Sequence, residues 1–148
     1  MKRPWIWGVV VVLGAIALAV VQGRGGRSGG SGAADALPWA HDLPTALSQA
    51  NSEKKIVMVD FYTDWCQWCK RLDQNTFSDT RVQQALAQLV PVRLDAEREG
   101  REAAARFQVD GYPTLIFLNA AGAEVGRIPG YMDPGPFLQE LHSILKNA

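Results

Sequence analysis

The chain has 148 residues, a length that allows no more than one globular domain of ordinary size. Its 15 basic and 15 acidic residues cancel, but the balance is uneven along the chain. Four basic residues and no acidic residue precede position 35, which leaves 11 basic against 15 acidic residues in 35–148. A mildly acidic domain has no electrostatic reason to bind nucleic acid, so the composition excludes that class of partner.

Residues 1–22 have the composition of an export signal. Lys2 and Arg3 are followed by residues 5–21, a run of 17 residues without a charge. A membrane-spanning helix needs about 20 apolar residues, with a lower limit near 17, whereas the core of a cleaved signal peptide has about 7–15. Residues 17–19 (ALA) offer a small-residue cleavage pattern. A signal anchor and a cleaved signal peptide therefore both remain open, and either predicts an extracytoplasmic domain.

Residues 23–36 are rich in glycine and serine. Such a segment cannot bury apolar surface and behaves as a flexible coil, so we predict a linker here. The folded domain is then expected over residues 37–148. If the N-terminal helix is uncleaved, the linker would tether that domain to the membrane.

The first half of the domain is predicted to alternate helix and strand. Apolar spacing indicates a short helix over 43–50, and the β-branched run 56–62 is typical of a buried strand. A turn with two cysteines follows, and then a helix over 67–74. Ser78 is the predicted N-cap of a further helix, on which apolar residues recur at helical spacing.

The second half of the domain is predicted to contain a strand, a helix, a hairpin and a last helix. Residues 90–94 form a strand candidate, and 97–107 has the acid–base pairs, four residues apart, that stabilise helices. Strands over 114–118 and 124–128 are joined by a short turn, and Pro134 opens a last helix. Together these elements predict an α/β fold with a mixed central sheet of about four strands flanked by helices.

Cys66 and Cys69 are the only cysteines of the chain, and they lie between a predicted buried strand and a predicted helix. The thiolate, not the thiol, attacks disulfides, and a helix N-terminus stabilises the thiolate. We therefore expect Cys66, at the turn, to be the exposed nucleophile. Cys69, one turn into the helix, is expected to lie deeper and to resolve a mixed disulfide. The pair predicts a redox-active disulfide.

Other uses of two cysteines fit the sequence less well. A zinc or copper site needs about four ligands, and the additional soft donors, His41 and His142, lie far apart without ligand spacing. Covalent haem would need a histidine in place of Lys70. A purely structural disulfide stays open, although so short a loop constrains the unfolded chain little. No metal and no organic cofactor is predicted.

Several segments resemble the thioredoxin family. Residues 59–66 (VDFYTDWC) are similar to the thioredoxin active-site segment, and residues 111–114 (GYPT) to its cis-proline loop. A narrower likeness is to the C-terminal periplasmic domains of the DsbD family of thiol:disulfide interchange proteins. It covers roughly residues 54–145 and rests on four segments: 64–66, 76–79, 112–114 and 130–133.

The resemblance implies roles for further residues. Asp60 would be a buried carboxylate near the cysteines, with a pKa raised by burial, and would accept the proton of Cys69. Pro113 would be a cis-proline beside the cysteines, and the backbone of Tyr112 would pair with a substrate strand. Trp65 would flank and shield the thiolate. The alternatives are that Asp60 is a solvent-facing carboxylate, that Pro113 is an ordinary trans-proline and that Trp65 is a simple surface tryptophan.

The function implied by the resemblance is that of an exported thiol–disulfide oxidoreductase, most simply a reductase of disulfides in periplasmic or other extracytoplasmic proteins. A membrane thiol carrier would donate the electrons, because the chain has no flavin or nicotinamide motif. Gln67 and Trp68 stand where thioredoxins have Gly-Pro, and these positions tune the stability of the reduced form. An oxidase or isomerase therefore stays open, as does a redox-inert binding module acting as a chaperone or metal carrier.

Overall fold

The computed structural model describes residues 37–148, so the predicted N-terminal hydrophobic helix and the linker lie outside the described residues. None of the helices in this part has the length and apolar composition to cross a membrane. The elements in chain order are α1 (Leu43–Glu53), β1 (Val57–Tyr62), α2 (Gln67–Arg71, continued by a π-helical turn over Leu72–Thr76), α3 (Thr80–Leu86), β2 (Val90–Asp95), α4 (Arg101–Arg106), β3 (Thr114–Leu118), β4 (Glu124–Pro129) and α5 (Pro134–Lys146).

The four strands form one mixed sheet in the order β2-β1-β3-β4. β1 pairs in parallel with β2 and antiparallel with β3, which in turn pairs antiparallel with β4. A parallel pair needs a long crossover connection, and α2 and α3 provide it between β1 and β2. The predicted α/β class, with its four-stranded mixed sheet flanked by helices, is confirmed.

Helices cover both faces of the sheet, which explains why β1 is buried along nearly its whole length. Successive side chains of a strand point to opposite faces, so Met58 packs in one core cluster while Val59 and Phe61 pack in the other. The first cluster includes residues of α3 and α5, such as Phe137. The second includes residues of α1 and α4. The same alternation puts Asp60, buried in the middle of β1, on the face of Met58.

The N-cap of α3 differs from the prediction. Ser78 was the expected cap, but its hydroxyl donates to the carbonyl oxygen of Gln74 at 2.8 Å. Asp79 caps the helix instead, because its backbone is extended and its carboxylate accepts from the N–H of Arg81 at 2.8 Å. The hydroxyl of Ser78 is engaged by the π-helical turn before it, so the next residue takes the cap.

α4 begins at Arg101, four residues later than the predicted start at Glu97. Side chains hold the preceding residues in turns. The N–H of Glu97 donates to the Asp95 carboxylate at 2.9 Å, and the Glu99 carboxylate accepts from the N–H of Asp95 at 2.8 Å. Acidic side chains that bond to nearby backbone compete with helix formation, which explains the later start. The Arg101 side chain donates to the backbone oxygen of Glu97 rather than pairing with its carboxylate.

Candidate active site

Cys66 and Cys69 are joined by a disulfide just beyond the C-terminal end of β1. The N–H of Cys66 donates to the carbonyl oxygen of Thr63 at 3.2 Å, which closes the turn between strand and helix. Cys66 has an extended backbone and is the N-cap of α2. The N–H of Cys69 points at the sulfur of Cys66 at 3.0 Å. A donor in this position stabilises negative charge on the sulfur of Cys66 once the disulfide is opened.

The two cysteines do not differ in exposure as the sequence predicted. Cys66 is 3% exposed and Cys69 is 6% exposed, so Cys66 is not the exposed member in this disulfide-bonded form. Bonded sulfur atoms occlude one another, which reduces the exposure of both. The backbone donor, and not exposure, distinguishes Cys66 from Cys69 here.

The loop before β3 contains a cis peptide bond between Tyr112 and Pro113. Pro113 is buried, and its carbonyl oxygen accepts from the N–H of Gly130 at 2.7 Å. Gly130 has a φ of 79°, a conformation that favours glycine. The ring of Tyr112 meets Trp65 edge-on, with centroids 6.1 Å apart, so the loop lies beside the cysteine turn. Within residues 37–148 the backbone of Tyr112 has no hydrogen-bond partner.

Trp65 is 62% exposed and is held from two sides. Its indole N–H donates to the Glu97 carboxylate at 3.1 Å, and its ring contacts Tyr112. Trp68 is 56% exposed, and its ring centroid lies 5.6 Å from that of Tyr131. Trp65 and Trp68 are the exposed large hydrophobic side chains of the described part of the chain. Both adjoin the cysteines in sequence, so the apolar surface is concentrated around the disulfide.

Asp60 lies 1% exposed in the middle of β1 and forms an ion pair with Arg93 of β2. The two residues are register partners, and Nη2 of Arg93 lies 2.9 Å from Oδ2 of Asp60. The same nitrogen pairs with Asp73, in the π-helical turn. Oδ1 of Asp60 and the hydroxyl of Thr63 are buried without a hydrogen-bond partner among the described residues. The cation therefore joins the central strand to the helix that carries Cys69.

Burial raises the pKa of Asp60 from 3.8 to about 6. The charge of Arg93 acts in the opposite direction, and the charge of Asp73 adds to the increase. Burial also lowers the pKa of Arg93, but the two carboxylates more than offset that effect, so its net shift is upward. A carboxyl with a pKa near 6 can accept a proton at neutral pH.

A cleft of about 210 Å³ reaches from Arg93 and Asp73 to Cys69. Its lining includes Thr63, Cys69, Asp73 and Arg93. The sequence analysis predicted Asp60 but not Arg93 or Asp73. Arg93 is a lone basic residue within the apolar strand VPVRLD, and this could have indicated the ion pair. A buried cation in a strand needs a buried anion on a neighbouring strand.

No group of three or more histidine, cysteine or acidic side chains in residues 37–148 could hold a metal ion. His41 lines a separate cleft between α1 and α4, away from the cysteines. The structure does not bring His41 or His142 to the disulfide.

The chain is similar in sequence to a thiol:disulfide interchange protein and in fold to a thioredoxin. DsbD, the thiol:disulfide interchange protein of Salmonella typhimurium strain LT2, is 36% identical over 154 residues, covering 95% of this chain and 27% of that protein. The chain thus spans about a quarter of the length of that relative. A Thermus thermophilus thioredoxin is 34% identical with a TM-score of 0.64, covering 71% of this chain and 85% of that one.

The oxidised C-terminal domain of Neisseria meningitidis DsbD shares the fold at 22% identity, with a TM-score of 0.60. The alignment covers 74% of this chain and 99% of that one. The family described as the thioredoxin-like domain matches residues 43–145, nearly all of the described part. The chain therefore belongs to the thioredoxin-like family.

Proposed function

We propose that this chain is an exported thiol–disulfide oxidoreductase that reduces disulfides in extracytoplasmic proteins. The observation that carries the proposal is the Cys66–Cys69 disulfide at the end of β1, with a backbone donor on Cys66 and a buried base on β1. The likeness to a protein named for thiol:disulfide interchange supports the reaction class. No metal or organic cofactor takes part in the cycle.

The first step is attack by the Cys66 thiolate on one sulfur of a substrate disulfide. The substrate S–S bond breaks, one substrate thiolate leaves, and Cys66 is joined to the other substrate sulfur. The N–H of Cys69, 3.0 Å from the sulfur of Cys66, stabilises the attacking thiolate. The substrate backbone pairs with the free backbone groups of Tyr112, beside Pro113, and Trp65 covers the reacting sulfurs.

The second step is attack by Cys69 on the sulfur of Cys66. Asp60 accepts the thiol proton of Cys69, the mixed disulfide breaks, and the second substrate thiolate is released. Two electrons have then passed to the substrate, and the Cys66–Cys69 disulfide is restored. A partner dithiol, a membrane thiol carrier, has to reduce the pair for the next cycle.

The N-terminal residues determine where this cycle operates. We propose that residues 1–22 direct export, as an anchor or as a cleaved signal, and that residues 23–36 separate the domain from the membrane. Relatives named DsbD support an extracytoplasmic site, which in a bacterium with two membranes is the periplasm. Such a compartment contains the protein disulfides that the reaction needs.

A reductase needs a reducing dithiol pair. We expect the purified chain to have a reduction potential nearer the thioredoxin value of about −270 mV than the value of about −120 mV of a strong oxidant. Equilibration in dithiothreitol or glutathione buffers, followed by thiol trapping and mass spectrometry, measures it. A value near about −120 mV would reverse the direction of the reaction. A pair that cycles only after unfolding would contradict the oxidoreductase itself.

Asp60→Asn is expected to slow the resolution of the mixed disulfide by about 100-fold, the lower end of what a general base contributes. In the natural chain the rate should rise with pH around 6, where Asp60 ionises. The variant should lose that inflection, although its amide oxygen can still accept from Arg93. Stopped-flow measurement of product release from pH 5 to 8 tests both points.

Stability gives an independent check on the same variant. The folded pKa of Asp60, about 6, exceeds the ordinary value of 3.8, so ionisation of Asp60 destabilises the folded state as pH rises from about 4 to about 6. The asparagine variant lacks this loss, which is on the order of 3 kcal/mol. If the rate of mixed-disulfide resolution in Asp60→Asn still rises with pH around 6, Asp60 is excluded as the base.

A further inference from the structure

The surface on the Trp68 side of the disulfide is basic, although the domain as a whole is acidic. A cleft of about 340 Å³ is lined by Gln67, Trp68, Lys70, Arg71 and Gln74, here called the Trp68 cleft. It holds two cations, two amides and an indole, but no carboxylate. Neither Lys70 nor Arg71 takes part in the ion pairs formed by residues 37–148.

Arg71 is held in place by aromatic rings. Its guanidinium lies 5.9 Å from the ring centroid of Trp68 and 5.5 Å from that of Tyr131. The Tyr131 hydroxyl donates to Asp133 and accepts from Asn75, which fixes the ring. An ordered cation loses less conformational entropy on binding a carboxylate than a free one does. Two carboxylates lie near this cation, and both have other partners: Asp73 pairs with Arg93, and Asp133 accepts from the Tyr131 hydroxyl and from Asn75.

The surface around Trp65 carries the reverse charge, although Lys70 also lines the neighbouring cleft with Asp64 and Asp73. Trp65 bonds to the Glu97 carboxylate, and Asp64 pairs with Arg98, which also lies 3.5 Å from Asp95. A partner carboxylate would be repelled there and attracted to the Trp68 cleft. The charges across the active site therefore favour one orientation of a bound segment.

We propose that the Trp68 cleft recognises an acidic side chain on the disulfide-bearing segment of a protein substrate. The inference rests on the proposed function and adds the substrate class. Lys70 and Arg71 follow Cys66 by four and five residues, about 6–8 Å along a helix axis. An extended segment advances about 3.3 Å per residue, so the acid lies about two residues from the attacked cysteine.

The experiment compares two disulfide-bonded peptides that differ only in having Glu or Lys two residues from the cysteine. The pre-reduced full-length chain is mixed with each peptide, and the rate constant of reduction is measured at low salt and at 0.5 M NaCl. We expect the Glu peptide to react about 5–10 times faster at low salt. The ratio should fall towards one at high salt, because salt screens exposed charges.

Charge reversal tests whether the Trp68 cleft causes the faster reaction of the Glu peptide. Lys70→Glu combined with Arg71→Glu should invert the ratio in favour of the Lys peptide. The matched control, Lys54→Glu with Lys146→Glu, makes the same change in charge at exposed positions and should keep the original ratio. Lys54 precedes the N-terminal end of β1, and Lys146 ends α5, so both are remote from the disulfide.

The outcomes separate the two proposals. Equal rates for the two peptides, or a faster Lys peptide, overturn the acidic preference and leave the reductase intact. If the Glu peptide still reacts faster after charge reversal at Lys70 and Arg71, the proposal is also overturned, because the Trp68 cleft is then not the source of the preference. Failure of the reduced chain to exchange with either peptide overturns both the function and the inference that rests on it.

Discussion

Cys66→Ser is expected to lower disulfide exchange to the uncatalysed rate, while Cys69→Ser is expected to trap the substrate. A serine hydroxyl is not ionised at neutral pH, so the first variant has no nucleophile. The second variant keeps the nucleophile but has no thiol to resolve the mixed disulfide, so Cys66 should remain joined to the substrate. Non-reducing electrophoresis and intact-mass spectrometry distinguish the two results.

The two variants are matched controls for each other. Each loses the same disulfide, and a loop this short contributes only about 2 kcal/mol in the chain-entropy treatment, so both should stay folded. A difference in activity between the two variants then reflects the different roles of the two thiols and not a loss of the fold. Full function in Cys66→Ser would favour the redox-inert binding module. An adduct on Cys69 in place of Cys66 would reverse the assigned roles.

Local sequence patterns were enough to predict most of the architecture. β3, Thr114–Leu118, matches the predicted strand, because its apolar residues are bounded by a proline and a turn. Helix ends were harder to predict. Asp95 and Glu99 bond to the backbone before α4, and Asp79 takes the cap expected of Ser78. Side chains that can bond to local backbone compete there with the helix, and apolar periodicity does not report that competition.

The candidate site was only partly predictable from the sequence. Asp60 could be predicted as buried because it interrupts an apolar strand. Its partners could not, since Arg93 is 33 residues away and meets Asp60 only through the register of β1 and β2. The structure holds the disulfide-bonded form, in which Cys66 and Cys69 are both buried, so the exposure expected of the reduced Cys66 thiol stays a prediction. Contacts distant in sequence and the redox state thus limited the prediction.

Arg93→Met is expected to destabilise the domain by about 3–5 kcal/mol at pH 8, the usual cost of removing one partner from a buried ion pair. Asp60 and Asp73 would then face each other without a cation. The methionine chain can replace much of the packing of Arg93, whose guanidinium lies 4.5 Å from the ring centroid of Trp39 and 5.4 Å from that of Tyr62. Urea unfolding at pH 8 and pH 5 measures the loss.

The effect should depend on pH in a defined direction. Arg93 lowers the pKa of Asp60, so its removal raises that pKa further above the ordinary value. A carboxyl with a raised folded pKa destabilises the folded state as pH rises towards that pKa. The difference between the variant and the natural chain should therefore be larger at pH 8 than at pH 5, where Asp60 is mostly protonated.

Arg98→Met is the matched control, because it removes an arginine that also pairs with two carboxylates. The Arg98 side chain is 68% exposed, against 16% for Arg93, so solvent screens its ion pairs and the expected cost is below about 1 kcal/mol. Equal losses in the two variants would mean that burial does not strengthen the Arg93 network. In that case the stability assigned to the buried cation that Asp60 and Asp73 share would not be there.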